Sequence, residues 1–242
     1  MPAILGGPLS PVGWSVGFLE APLEVAVDEL LRWRRELGAS LELADVAPWP
    51  DCLTALDPLE APWTTELMVD HGVWTAYLNN DIKGGDPWPA TSYVASLLDV
   101  RWVIGSHQPM TAPRHATTQF QLGGPEGEEP LRFVRTISAH AEDGRWSWDE
   151  SGAVLPFERP QAYGARRIRE RLTRNLLVEY LAAMGIDVDE PTRYGAGCLV
   201  RQQVTWRTRR ERVDAVRRSW DADRSRRGRL VPRARAGLRR GW

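Results

Sequence analysis

The groups in this 242-residue chain whose types suit proton transfer are His71, His107, His115 and His140, with the carboxylates Asp143, Asp149, Glu150 and Glu158. Ser106 stands beside His107, but adjacent residues of a strand point to opposite faces, so this couple does not converge as a nucleophile and its base. His140, Asp149 and Glu158 fall on neighbouring predicted strands and could meet across a sheet, which keeps a hydrolase with an unrecognised site among the readings. No GxSxG, HExxH or Cys/His signature is present, and no complete catalytic constellation emerges. Cys52 and Cys198 lie far apart with no metal-ligand spacing around either, so no metal and no cofactor is expected, and the thiols are expected to be reduced.

Recognition chemistry is better represented. The segment Asn79-Asn80-Asp81-Ile82-Lys83-Gly84-Gly85-Asp86-Pro87 has residue types that cradle a phosphate or hold a cation, yet it matches neither a phosphate loop nor calcium-loop spacing. An ordinary turn, with Asp86 capping a helix whose first turn holds Pro87, is the favoured account of it. Acids and amides here stand beside large aromatics, the mixture a recognition surface uses. Trp74, Tyr77, Asn80, Asp81, Asp86 and Trp88 are therefore the candidate protein-binding set. Most of the 12 Trp are read as packing residues. Gly195 and Gly197 lack the helix that a dinucleotide fingerprint requires.

The net charge of −1 conceals two halves of opposite sign. Residues 1–160 carry 10 Lys and Arg against 23 Asp and Glu, and residues 161–242 carry 21 against 9, giving −13 and +12. An acidic body suits a basic protein partner. In the basic end, Arg207, Arg209, Arg210, Arg217, Arg218, Arg226 and Arg227 are the candidates for an alternative, sequence-independent contact with nucleic acid. Self-association of that end with the acidic body is the competing account. Because 30 of the 31 basic residues are Arg, GC-rich coding explains their identity, and only their positions inform.

These groups must be positioned by elements that the apolar pattern specifies. Residues 14–18 read as a strand, and Leu23, Val27, Leu30, Leu31 and Leu37 mark one face of a helix from Pro22 to Leu37. The stretch 47–62 reads as loop. His71-Gly72 separates two β-prone segments, 66–70 and 73–79, and a short helix runs from Asp86 and Pro87 to about Leu98 with Tyr93, Val94, Leu97 and Leu98 inward. Strands follow at 100–105, 117–122 and 131–140. Asp143-Gly144 turns the chain into 145–149, and Ser151-Gly152 turns it into a further strand at 154–157. A helix from Ala165 to Met184 carries the stripe Ile168, Leu172, Leu176, Leu177, Tyr180, Leu181 and Met184, and a last strand covers 198–204. The expected architecture is one α+β domain, residues 1–204, with a mainly antiparallel sheet carrying helices on one face, followed by an Arg-rich helix and tail at 205–242. The N-terminal residues do not read as a signal peptide, and no apolar run is long enough to span a membrane, so a cytoplasmic protein without membrane contact is expected.

The stretch Trp74 to Asn80, the Trp146-Ser147-Trp148 strand with Leu155 to Glu158, and the helix after Tyr163 resemble segments of uncharacterised hypothetical proteins from GC-rich bacteria. That resemblance covers residues 14–204 and implies no activity. At the level of architecture the chain also looks like the compact α+β immunity proteins that neutralise polymorphic toxins. The functional expectation is a non-catalytic, intracellular protein-binding module of the immunity or accessory type. Its rivals are a nucleic-acid-associated protein and a hydrolase.

Overall fold

Apolar residues at successive rather than alternate positions decide this architecture, because a strand apolar on both sides must be covered on both faces. The computed structural model describes residues 4–5, 11–82, 85–110, 115–128 and 131–203. The expectations placed on 205–242, including all seven candidate arginines, lie outside the described residues. In chain order the principal elements are β1 (Ser15–Leu19), α1 (Leu23–Glu36), β2 (Ser40–Asp45), β3 (Thr65–His71), β4 (Trp74–Asn79), α2 (Trp88–Leu98), β5 (Trp102–Gln108), β6 (Ala116–Glu128), β7 (Phe133–Glu142), β8 (Arg145–Ser151), α3 (Pro160–Tyr163), α4 (Arg174–Ala183) and β9 (Gly197–Gln203). Among the described residues the nine strands form one sheet in the order β2-β9-β3-β4-β1-β5-β6-β7-β8, with every neighbouring pair antiparallel. The fold is α+β, as the sequence pattern implied. No helix among the described residues is long and apolar enough to cross a membrane.

The expectation of helices on one face is corrected. Strands β3, β4, β1 and β5 are buried at nearly every position, and two apolar clusters lie on opposite sides of them. One joins Val16, Phe18, Leu67, Val103 and Phe120 to Leu172, Leu177, Tyr180 and Leu181 of α4 and the residues before it. The other joins Leu19, Met68, Tyr77 and Ile104 to Leu30 and Leu31 of α1 and to Val94 and Ala95 of α2. Farther along the sheet the pattern changes. In β6 and β7 buried residues alternate with half-exposed ones, so there only the α4 face is closed.

Local chemistry accounts for the remaining departures. The helix expected from Ala165 begins only at Arg174, where the Thr173 hydroxyl accepts the Leu176 N–H at 3.3 Å and caps the first turn. Ahead of it, Arg166, Arg167, Arg169 and Arg171 crowd like charge into six residues, which disfavours helix. The strand expected at 154–157 is a turn instead, because the Leu155 N–H is taken by the Glu158 carboxylate at 2.9 Å. That carboxylate also accepts both Arg135 Nε and a terminal guanidinium N–H, at 2.9 and 2.8 Å, and the Tyr163 hydroxyl at 2.7 Å. Asp86 is not the cap of α2; Pro87 is, and the Asp86 backbone is bracketed by the Asn79 carboxamide. The buried face of α2 is Ala90, Thr91, Val94 and Ala95, while Tyr93 and Leu97 are exposed. Small residues face the sheet there because α2 lies directly on Gly17 of β1, where an added Cβ would stand 2.1 Å from Thr91 Oγ1.

Candidate functional site

Of the six residues chosen from the sequence as a recognition surface, three are structural. Trp74 and Tyr77 are each 1% exposed. The Trp74 indole donates to the Met184 carbonyl at 3.1 Å, tying β4 to the end of α4. The Tyr77 hydroxyl donates to Glu66 at 2.6 Å beneath α1, where Arg34 Nε donates to the same carboxylate at 3.0 Å; burial first, then the Glu66 charge, hold the phenol well above its usual pKa. Asn80 is buried, and its carboxamide accepts the Thr64 and Thr65 N–H groups at 2.9 Å each while donating to the Pro58 carbonyl. The amides that looked like ligand contacts satisfy the backbone of their own loop. Asp81 is half-buried, and its backbone forms an isolated parallel β-bridge with that of Glu60. Asp86 and Trp88 border a cavity.

That cavity belongs to the open part of the sheet. Among the described residues α1 and α2 cover β3, β4, β1 and β5 and α2 reaches the Gly124 end of β6, while the same face over the rest of β6 and over β7 and β8 carries no helix. Antiparallel register aligns its side chains in rows. Ser15, Ser106, Gln119, Ser138 and Asp149 form one row across five strands, flanked by Gln108, Thr117 and His140 on one side and Ile104, Gln121, Thr136 and Ser151 on the other. At the usual strand spacing, such a row spans about 19 Å. Two adjoining depressions of about 390 and 650 Å³ share Thr117, Gln119, Gln121 and Phe133, so they make one groove. Trp14, Trp88 and Phe133 wall one end, the last two with rings nearly parallel at 11° and centroids 6.3 Å apart. The indole nitrogens of Trp14 and Trp88 are buried and, among the described residues, without an acceptor.

Within the groove Ser138, His140 and Asp149 come together, with His140 Nδ1 at 3.3 Å from Ser138 Oγ and 3.7 Å from an Asp149 oxygen. A nucleophile relay needs the serine on one ring nitrogen and the carboxylate on the other, whereas here both meet Nδ1. Glu158, expected to join His140 and Asp149, lies on the opposite face with Arg135. Ser106 and His107 also part, Ser106 meeting Ser15 at 2.6 Å and His107 meeting Thr118 at 2.9 Å. Burial pushes the Cys52 thiol up to about 11 and also raises that of Cys198, which leaves both poor nucleophiles at neutral pH. Among the described residues no three His, Cys, Asp or Glu side chains are grouped to hold a metal ion.

Sequence reasoning missed Trp14, Gln119, Gln121, Thr136 and Ser138. Their signal was the alternation of hydroxyl and carboxamide residues with apolar ones along 116–122 and 134–141, on a sheet face that otherwise would carry mixed charges. Comparison of the chain with family models, with curated proteins and with solved structures returned no match.

Proposed function

We propose that this chain is a non-catalytic protein-binding module, akin in kind to immunity proteins, which receives an extended basic segment of a partner protein in the groove over β5 to β8. The observation that carries this reading is the five-strand polar row, an uncharged floor of hydroxyls and carboxamides that ends on Asp149 and adjoins Asp86 at the tryptophan end. Such a floor hydrogen-bonds an extended backbone, the aromatic wall supplies apolar contact, and the two carboxylates favour lysine or arginine side chains. Charge complementarity extends beyond the groove, since residues 1–203 carry 17 Lys and Arg against 28 Asp and Glu.

Titration of the full chain with an extended peptide of alternating Arg and Ser, read by tryptophan fluorescence, tests this. Saturable binding is expected, weakening with salt and falling about tenfold or more in the Asp86→Asn/Asp149→Asn pair and in Gln119→Ala. Binding of a neutral oligosaccharide in place of the peptide would make the groove a sugar site. Peptide binding indifferent to these substitutions would remove the groove from the function.

A further inference from the structure

The opposite face of β5 and β6 holds a second cavity, of about 380 Å³, which meets the groove at Gln108, at the end of β5. It lies where α4 begins, and its walls include His107, Ala116, Thr118, Trp146, Arg169 and Arg174. His107 is 6% exposed, and its ring is fixed by Thr118, the residue directly opposite it on β6, at 2.9 Å from Nδ1. Its other nitrogen, Nε2, is buried and has no hydrogen-bond partner among the described residues. A buried polar atom left so costs about 1–3 kcal/mol unless something in the cavity meets it.

The cavity's charge says what that something is. Arg174 is buried and engages Asp189 and the Ile4 carbonyl, so one acid accompanies it. Arg169 adds a second guanidinium at the exposed side. Thr173 caps α4 here, so the positive end of a ten-residue helix faces the same space. The Thr118 hydroxyl can either donate to Nδ1 or accept from it; in the tautomer where it donates, the neutral imidazole presents an N–H at Nε2, and that is the form an anion selects. Apolar lining from Met110, Ala116 and Trp146 completes a site with one polar and one greasy end. Its volume falls at the small end of the range of ligand pockets, about 300–1,000 Å³.

We propose that this cavity binds a small monocarboxylate with an apolar body, the carboxylate held by the His107 Nε2–H and the Arg169 guanidinium at the start of α4, and the body lying against Ala116, Met110 and Trp146. The site is cationic where the groove is acidic, and it stands on the other side of the sheet, so it does not depend on the peptide-binding reading.

Benzoate and its neutral isostere benzamide form a matched pair of probes for the full-length protein, followed by Trp146-sensitive fluorescence and by the imidazole resonances of His107. Benzoate should bind saturably and at least about tenfold more tightly than benzamide, moving the His107 ring signals as it does. Arg169→Gln, at an exposed position that leaves the core intact, should weaken benzoate about tenfold without changing the benzamide affinity. His107→Gln should weaken it comparably. Equal affinity for the two probes, or Arg169→Gln without effect, would overturn the proposal. So would the absence of saturable binding by benzoate, indole-3-acetate and hexanoate up to about 10 mM.

Discussion

Glu66 lies at 0% exposure and collects Arg34, Tyr77 and Gln202, so a single carboxylate joins α1, β3, β4 and β9. Removing it strands a buried guanidinium. Glu66→Leu is expected to cost roughly 3–5 kcal/mol in urea melts, while Arg34→Met/Glu66→Leu recovers most of that loss and Tyr77→Phe costs only about 1 kcal/mol. A double variant as damaged as the single one would mean that shape, not charge, is at stake. His107 supplies the pH dependence. Burial first, then the Arg174 charge, lower its pKa from 6.5 to about 4, and burial likewise lowers that of His71. Because the folded value lies below the unfolded one, the unfolded chain takes the proton first. The contribution of His107 is whole above about pH 6.5, declines as the pH falls and is exhausted near pH 4, a loss of roughly 3 kcal/mol. His107→Gln should therefore close its stability gap to the parent by about 2–3 kcal/mol between pH 7.5 and 4.5, measured by denaturant midpoints at each pH. A gap constant across that interval would show that the ring does not titrate in the folded protein as this burial requires.

Elements pack here according to how closely their backbones approach, and at Gly17 a helix meets the sheet with no room for a side chain. A Cβ at Gly17 would meet Thr91 Oγ1 at 2.1 Å and Pro87 Cβ at 3.1 Å, so Gly17→Ala should push α2 from the sheet at a cost of roughly 1–3 kcal/mol. The Thr91 hydroxyl is buried without a partner, so Thr91→Ala alone should be nearly neutral and should restore part of the Gly17→Ala loss in the double variant. Thermal melts of the four-member cycle decide this, and strict additivity would show that α2 does not bear on Gly17. The same closeness explains why the inward face of α2 could not be read from the sequence. Periodicity favours Tyr93 and Leu97 along with Val94, but the close contact at Gly17 turns Ala90, Thr91 and Ala95 inward beside Val94 and leaves the two larger residues outside. Where local chemistry and period agree, the elements were legible: Pro22 and Gly38 bound α1, His71-Gly72 joins β3 to β4, and Asp143-Gly144 joins β7 to β8. Positive φ at Gly72, Asp143 and Gly144 is what those turn residues supply. Strand β2 escaped because it is a short edge strand whose Leu43 is half exposed, so its pattern carries little burial. The groove escaped for a related reason, since an uncovered face is defined by which helices fail to reach it.

At the scale of the whole molecule, the last strand in sequence is not the last in the sheet. Strand β9 lies between β2 and β3, so residues 197–203 join β2 to the rest of the sheet, and every described member of both apolar clusters precedes Val204. A chain ending at Gln203 is therefore expected to fold with a cooperative melt, whereas one ending before Gly197 should lose β2 and its neighbours. The charge left behind sharpens the consequence. Residues 1–203 carry −11 and residues 204–242 carry 14 Arg against 4 acids, or +10, so truncation removes nearly all the positive charge that offsets the body. Two accounts predict different salt dependence. If the basic end neutralises the acidic body by lying against it, truncation lowers the melting temperature and added salt shrinks the deficit, because screening relieves the same repulsion. If the acidic groove is an interface for another chain, truncation leaves the melting temperature nearly unchanged, and the basic peptide binds the shortened chain as tightly as the full one or more so. The second outcome is expected, since Asp86 and Asp149 border a groove whose floor of hydroxyls and carboxamides serves no packing purpose. A salt-sensitive loss of stability, together with peptide affinity that rises sharply only when residues 204–242 are removed, would instead make this chain's own arginines the occupant of the groove.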